Sequence, residues 1–297
     1  MKTLLIEPKT NMGIKINIFL VLLFYTNVIF AEIDLDIHGY LSQTGIKTTK
    51  NNGYVEGSKS GSLKWTEFGI NFFKDFEDFE IGAQIVSRSF GEREWTTEID
   101  WAYGSYSFVE WLGVRIGKVR MPFQTYNEYR DIDPARTSIL MDQSMYEESA
   151  RDLFTAIQGA SLFGAYGPLR YTAVYGGTSV KDDFRFNKDF KNQLAASSAK
   201  TNVDFFTSFL LNYDTNIKGL SFSYNYTKLR GDLDILESKA PMSIGGPIAD
   251  LDATIGISYN TIGLNYFYKA WDFKTEYVWQ KNVTKWSSPS AGNLFVN

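Results

Sequence analysis

From Glu32 onward apolar and polar residues alternate with a period of two, and the alternation resumes after every turn-rich gap. Successive side chains of an extended strand point to opposite faces, so this period predicts strands rather than helices. In residues 33–41, Ile33, Leu35, Ile37, Gly39 and Leu41 alternate with Asp34, Asp36, His38 and Tyr40, which makes one face apolar and the other charged. A strand enclosed in a soluble protein rarely sustains that contrast. A strand with hydrocarbon on one side and water on the other requires it.

Further segments repeat the pattern. Phe68, Ile70 and Phe72 oppose Glu67, Gly69 and Asn71 within 63–73, and Phe79, Ile81, Ala83 and Ile85 oppose Glu80, Gly82, Gln84 and Arg88. Ile99, Trp101 and Tyr103 are expected on the face opposite Glu98, Asp100, Ala102 and Gly104, and Leu112, Val114 and Ile116 opposite Gly113, Arg115 and Gly117. Segments 155–164, 170–176, 203–213, 219–229, 252–268 and 272–282 bring the count to eleven. The long piece 252–268 changes phase between Tyr259 and Ile262, which predicts a bulge or two strands.

The connections sort by length. Short ones (KDFED, FVEW, AYGP, DTNIK, KAWD) alternate with longer ones (47–61, 89–94, 118–154, 177–202, 230–251). Short turns at one rim and long loops at the other are what an outer-membrane barrel shows, and a sandwich has no reason to sort them so. Phe76, Phe79, Trp111, Tyr166, Tyr213, Trp271 and Phe273 gather near the short turns, where the bilayer interface suits a ring with one wet end. The competing reading makes them core aromatics of a soluble β protein. The polarity of the opposite strand faces speaks against it.

Composition narrows the chemistry. The chain has no cysteine and one histidine, so disulfides, thiolate metal sites, a Cys nucleophile and multi-histidine centres are excluded; no cofactor is expected. After residue 31 no apolar run approaches the ~20 residues of a membrane helix. Residues 14–31, IKINIFLVLLFYTNVIFA, have Lys15, an apolar core from Ile18 to Tyr25 and a small residue at Ala31, the outline of a signal peptide cut after Ala31. An uncleaved anchor is the alternative, against which the short core argues. Residues 1–10 add nothing to such a peptide, which makes Met12 a second candidate start. Without residues 1–31 the chain carries 27 basic and 33 acidic side chains, a net of −6, and shows no basic cluster of the kind nucleic acid needs.

Connection 118–154 is far longer than a hairpin requires and too rich in Met121, Phe123, Tyr126, Tyr129, Ile139, Leu140, Met141 and Tyr146 for a disordered tail. It is expected to fold against the inner wall. Its Arg120, Arg130, Arg136, Asp131 and Asp133, with Glu67, Arg88, Glu98, Asp100 and Arg115 on nearby strands, form the candidate constriction. Opposed acids and guanidiniums set a transverse field that discriminates solutes by charge. The alternative is that the same charges pair to pin the loop.

The stretch WAYGSYSFVEWLGVRIGKVRMPFQTYNEYRDIDPARTSILMDQSMYEES (101–149) resembles a family of Gram-negative outer-membrane porin-like proteins, in which a strand-turn-strand precedes a G-K-V-[KR]-x-P-F segment and a Y-N-E-x-R-D-[IV]-D loop. HGYLSQ (38–43) and WTEFGINF (65–72) fit the same pattern, and the similarity is clearest over 36–176. The resemblance implies an outer-membrane barrel in contact with lipid, a constriction loop, passive passage of small hydrophilic solutes or ions, and a homotrimer as the assembly to test. The family is longer, and bacterial single-chain barrels have an even strand number. Eleven or twelve strands on 32–297 therefore predict a C-terminally truncated barrel of about 16 strands. Three rival functions compete with passive passage: a non-conducting barrel, a hydrolase, and a channel specific for sugars, phosphate or organic anions. A non-conducting barrel would bind a partner through loops 177–202 and 230–251. A hydrolase would pair His38 with Ser42, but four residues of strand place them ~13 Å apart, too far for a Ser–His hydrogen bond.

Overall fold

The computed structural model describes residues 35–50, 58–90, 95–127, 130, 141–142, 145–146, 151–180, 187, 191–192, 195–238 and 249–287. The signal-peptide reading and the second start at Met12 lie outside them. The strands are β1 (Asp36–Ile46), β2 (Ser62–Phe76), β3 (Phe79–Phe90), β4 (Thr96–Val109), β5 (Leu112–Arg120), β6 (Ala156–Tyr166), β7 (Leu169–Ser179), β8 (Ser198–Asp214), β9 (Leu220–Ser238), β10 (Ala249–Tyr268) and β11 (Trp271–Ser287). A one-turn helix, α1 (Arg151–Phe154), precedes β6. Each strand pairs antiparallel with its neighbour in sequence, so one sheet runs in order from β1 to β11. These two are the outermost strands, and no described residue of one pairs with the other. Among the described residues no helix is long and apolar enough to cross a membrane.

Every expected strand is present, and the turns are sorted as expected. Connections 77–78, 110–111, 167–168, 215–219 and 269–270 are short and alternate with mostly longer ones, 91–95 matching 215–219 in length. Glu77, Gly167 and Lys269, each first in a two-residue turn, have φ of 53°, 56° and 54°, the left-handed backbone that tight hairpins demand.

Register assigns the faces. Ile37, Leu41, Phe68, Ile81, Ile116, Leu162, Tyr175 and Tyr277 point one way and are exposed, Leu41 to 74% and Tyr277 to 69%. Glu67, Gln84, Arg88, Ser161, Ser208, Asn225 and Thr261 point the other way and are buried. At these positions the sheet inverts the soluble rule of apolar in and polar out.

Two expectations fail, each for a local reason. Trp101 and Tyr103 do not share a face with Ile99. Gln84 pairs with Trp101 while Ile85 pairs with Ile99, so Asp100 is an extra, bulged residue that turns Trp101 and Tyr103 to the buried side and leaves Ala102 and Gly104 on the exposed one. The segment 252–268 is neither bulged nor split: its ladder to β11 is continuous from Asp252 to Tyr268. What changes at Tyr259 is the apolar face, because Ile257 and Tyr259 find an apolar partner inside the sheet whereas Ile262 is exposed outside.

The sheet is curled around that inner partner. Met121, one residue past β5, is hydrogen-bonded to Thr155, while the Thr125 amide reaches Glu276 on β11. In a flat sheet six strand steps separate β5 from β11 by ~29 Å. Five residues of chain span at most ~17 Å, which one glutamate side chain does not extend to 29 Å. Gly117, Gly159 and Gly176 form a row across β5, β6 and β7 on the inner side, where adjacent backbones approach more closely than side chains allow. At Gly117, φ is 136° and a Cβ would stand 2.4 Å from the Ala102 carbonyl oxygen. Gly117→Ala is expected to destabilise the fold by ~1–3 kcal/mol, read as an earlier urea midpoint in detergent. An unchanged midpoint would show that the row is dispensable.

Candidate functional site

Among the described residues of the β5–β6 connection, 121–127 run from β5 along the inner face and 151–154 lead into β6. Their ends are fastened by an apolar cluster in which Met121, Phe123, Leu153 and Phe154 pack with Val119, Ile157, Val174, Phe206 and Leu229 of the wall. Phe123 stacks on Phe154 at 4.1 Å between ring centres, and Tyr259 meets both rings edge-on at 5.1 and 5.8 Å. This small core on the nominally wet side explains why β10 turns apolar residues inward.

Polar contacts fix the backbone next to it. The Asn225 side-chain oxygen accepts from the Gln124 amide at 2.9 Å, while its amide nitrogen donates to the Pro122 carbonyl and to that of Phe209. Ser208 Oγ also donates to the Pro122 carbonyl at 2.8 Å and pairs with Thr227 at 2.8 Å. Gln124, with φ of 55°, turns the chain so that Thr125 and Tyr126 reach β9–β11. There the Thr125 amide donates to Glu276, the Thr125 hydroxyl pairs with Ser223, and the Tyr126 hydroxyl donates to Asn265. Tyr146, further along, donates from its hydroxyl to Glu276 Oε2 at 2.7 Å and accepts the Tyr126 amide at 3.0 Å. Burial, reinforced by the Glu276 carboxylate, holds the Tyr146 hydroxyl protonated well above an ordinary phenol; the same causes, with Asp272 added, act on Tyr126.

Charged residues tie down the other end. Arg151 in α1 stands 3.0 Å from Glu67 on β2 with both side chains buried, and Glu67 also accepts from the Tyr40 hydroxyl at 2.8 Å. The segment thus touches β2 through Arg151 and β11 through Thr125.

The expected constriction residues divide into three groups. Glu67, Arg88, Asp100 and Arg130 are buried, so protein rather than open water surrounds them. Arg88 pairs with the half-buried Glu98 at 3.1 Å, and Arg130 donates to the Tyr146 carbonyl at 2.8 Å. Arg115, Arg120 and Glu98 keep partial exposure. Arg115 lies over Phe163 at 4.1 Å and Tyr103 at 5.3 Å, and Arg120 over Trp101 at 4.6 Å, so aromatic faces hold both guanidiniums flat against the wall. Asp131, Asp133 and Arg136 lie outside the described residues. His38 and Ser42 share the inner face, four residues apart. Among the described residues no group of three or more His, Asp or Glu is placed to hold a metal ion.

Sequence reasoning missed Ser208, Ser223, Asn225, Asn265 and Glu276 as docking partners. For Ser223 and Asn225 the signal was present in SFSYNYTKL (221–229), where Ser, Asn and Thr recur at every second position opposite Phe and Tyr.

No family model and no curated protein matches the chain. Solved structures do. A mutant porin of Rh. blastica is similar at 12% identity and a TM-score of 0.39 over 86% of this chain and 88% of that one. A structure described as "Asymmetric conductivity of engineered proteins" is similar at 11% and 0.40 over the same shares. OmpT of Vibrio cholerae lacking loop L8 is similar at 9% and 0.29 over 84% of this chain and 94% of that one.

Two outcomes follow from the docking contacts. Arg151→Met leaves the Glu67 carboxylate buried without its cation and is expected to cost ~3 kcal/mol, with faster proteolysis in 128–150 than in the parent. A cleavage rate equal to the parent's would remove Arg151 as an anchor. The second outcome concerns alkali. A raised phenol value contributes stability that is whole below the unfolded value of about 10 and declines as pH rises beyond it. The segment is therefore expected to loosen only above about pH 10, and Tyr146→Phe to remove much of that dependence, as followed by phenolate absorbance with limited proteolysis.

Proposed function

We propose that the chain is a porin-like barrel of a Gram-negative outer membrane, a passive diffusion channel for small hydrophilic solutes or ions. The observation that carries this reading is the two-faced sheet. Exposed Ile, Leu, Phe and Tyr on one side suit hydrocarbon, and the polar opposite side suits a water-filled passage. The aromatic row supports it, since Phe76, Phe79, Trp111, Tyr166, Tyr213, Trp271 and Phe273 are all exposed near the short turns.

On this reading segment 121–154 narrows the passage. It runs from the guanidiniums of Arg115 and Arg120 on β5 to the carboxylate of Glu276 on β11, so its two attachments differ in sign and a field lies across it. The buried pair Arg151–Glu67 pins the segment, while Arg115, Arg120 and Glu98 meet the solute.

A second reading has its own support. The apolar cluster of Phe123, Phe154, Phe206 and Leu229 fills inner space that an open pore leaves to water, as in an occluded, non-conducting barrel. Planar-bilayer recording separates the two. A channel gives discrete conductance steps that enlarge when residues 122–150 are replaced by a short glycine linker. A plug is silent until that segment is removed. A processed protein that stays soluble and monomeric without detergent overturns both.

A further inference from the structure

On β9 and β10 the two faces exchange character part-way along, and the outer face of β11 changes with them. Counting away from the short turns, the exposed-side residues are first Phe222, Tyr224 and Tyr226 on β9, Leu264 and Ile262 on β10, and Phe273, Tyr277 and Trp279 on β11. Beyond that level they become Lys228, Arg230, Asp232 and Asp234 on β9, Ser258, Thr254 and Asp252 on β10, and Lys281 and Lys285 on β11, with the exposed Val283 between the two lysines. The inner side changes the opposite way. Ser223, Asn225 and Thr227 give way to Leu229, Leu233 and Ile235, and the last two form a second buried cluster with Ala196, Ala199 and Ala253.

Apolar out and polar in belongs to a strand in lipid, whereas polar out and apolar in belongs to a strand in water. Strand length agrees. β8, β9, β10 and β11 have 17, 19, 20 and 17 residues, against the ~9–11 that cross a bilayer.

Register puts the exchange on named residues. Ser258 pairs with Lys228 on one side and Lys281 on the other, so two lysine stems straddle one small hydroxyl, rooted about 10 Å apart. One step toward the short turns Tyr226 and Trp279 flank Asn260, two aromatic residues of the kind the interface favours. Arg230, one step the other way, has Asp204 at 3.7 Å. Lys228 and Lys281 are exposed and have no carboxylate within ion-pair distance among the described residues.

We propose that β8–β11 leave the bilayer at the level of Lys228, Ser258 and Lys281, and that the two lysines there hold the phosphate of an anionic lipid headgroup. The proposal rests on the membrane reading above. Two ammonium groups supply the charge, Ser258 offers a donor between them, and the absence of a large side chain on the middle strand leaves room for the phosphate.

The chain has no cysteine, so single cysteines carry spin labels without background. Labels at Tyr224→Cys and Tyr277→Cys are expected to be reached by oxygen from the hydrocarbon, and labels at Asp232→Cys and Lys285→Cys by a water-soluble nickel complex. Four labels all in lipid would overturn the proposal and leave the membrane reading standing. Four labels all in water would overturn the membrane reading itself.

The headgroup is tested with spin-labelled phosphatidylglycerol and phosphatidylcholine in phosphatidylcholine vesicles. The parent is expected to prefer phosphatidylglycerol, and Lys228→Ala with Lys281→Ala to lower that preference by about fivefold per lysine. Lys285→Ala, two steps further from the lipid level, is expected to leave it unchanged. Equal preference in parent and double variant, or full displacement of the lipid by millimolar inorganic phosphate, would overturn the headgroup assignment.

Discussion

A single-layer sheet has no second layer behind which to hide an apolar face, and that constraint governs this molecule. Ile, Leu, Phe and Tyr stand exposed along one side from β1 to β11 while Glu67, Arg88, Ser208 and Asn225 are buried on the other. Such a sheet is stable only where the outer medium is itself apolar. On the reading proposed above, that medium also demands an unbroken ladder, because an amide or carbonyl without a partner in hydrocarbon costs several kcal/mol. From β1 to β11 each strand accordingly pairs with the next along most of its length.

The inner side solves a different problem. The described residues of the β5–β6 connection are held to the inner face by apolar and polar contacts together. Phe123 and Phe154 exclude water from the wall, and Asn225 and Ser208 take up the backbone polar groups beside them. Arg151 and Glu67 add a buried charge pair, which favours one docked position more than it adds net stability, since desolvation offsets much of the attraction.

Much of this was legible in the chain. All eleven strands, the sorting of turn lengths and the aromatic row follow from a period of two and from residues whose meaning is local. Errors arose where the period was set by something non-local. The inward turn of Trp101 and Tyr103 depends on how β3 pairs with β4, and the change of face along β10 depends on Phe123 and Phe154, over a hundred residues away in sequence. Glu67, Arg88, Glu98 and Arg115 stand on the inner face, but sequence carries no depth. It could not separate the buried Glu67 and Arg88 from the partly exposed Arg115 and Arg120.

The bulge at Asp100 shows how such a sheet tolerates change. A strand between two solvents has a reading frame of two, and an inserted residue shifts that frame for everything to one side of it. At Asp100 the shift is absorbed in place: Glu98 and Trp101 both stay inside, and Ile99 and Ala102 both stay outside, although three residues rather than two separate the members of each pair. The extra residue is therefore confined to one step of the pairing with β3, and the parts of β4 on either side of it keep their faces.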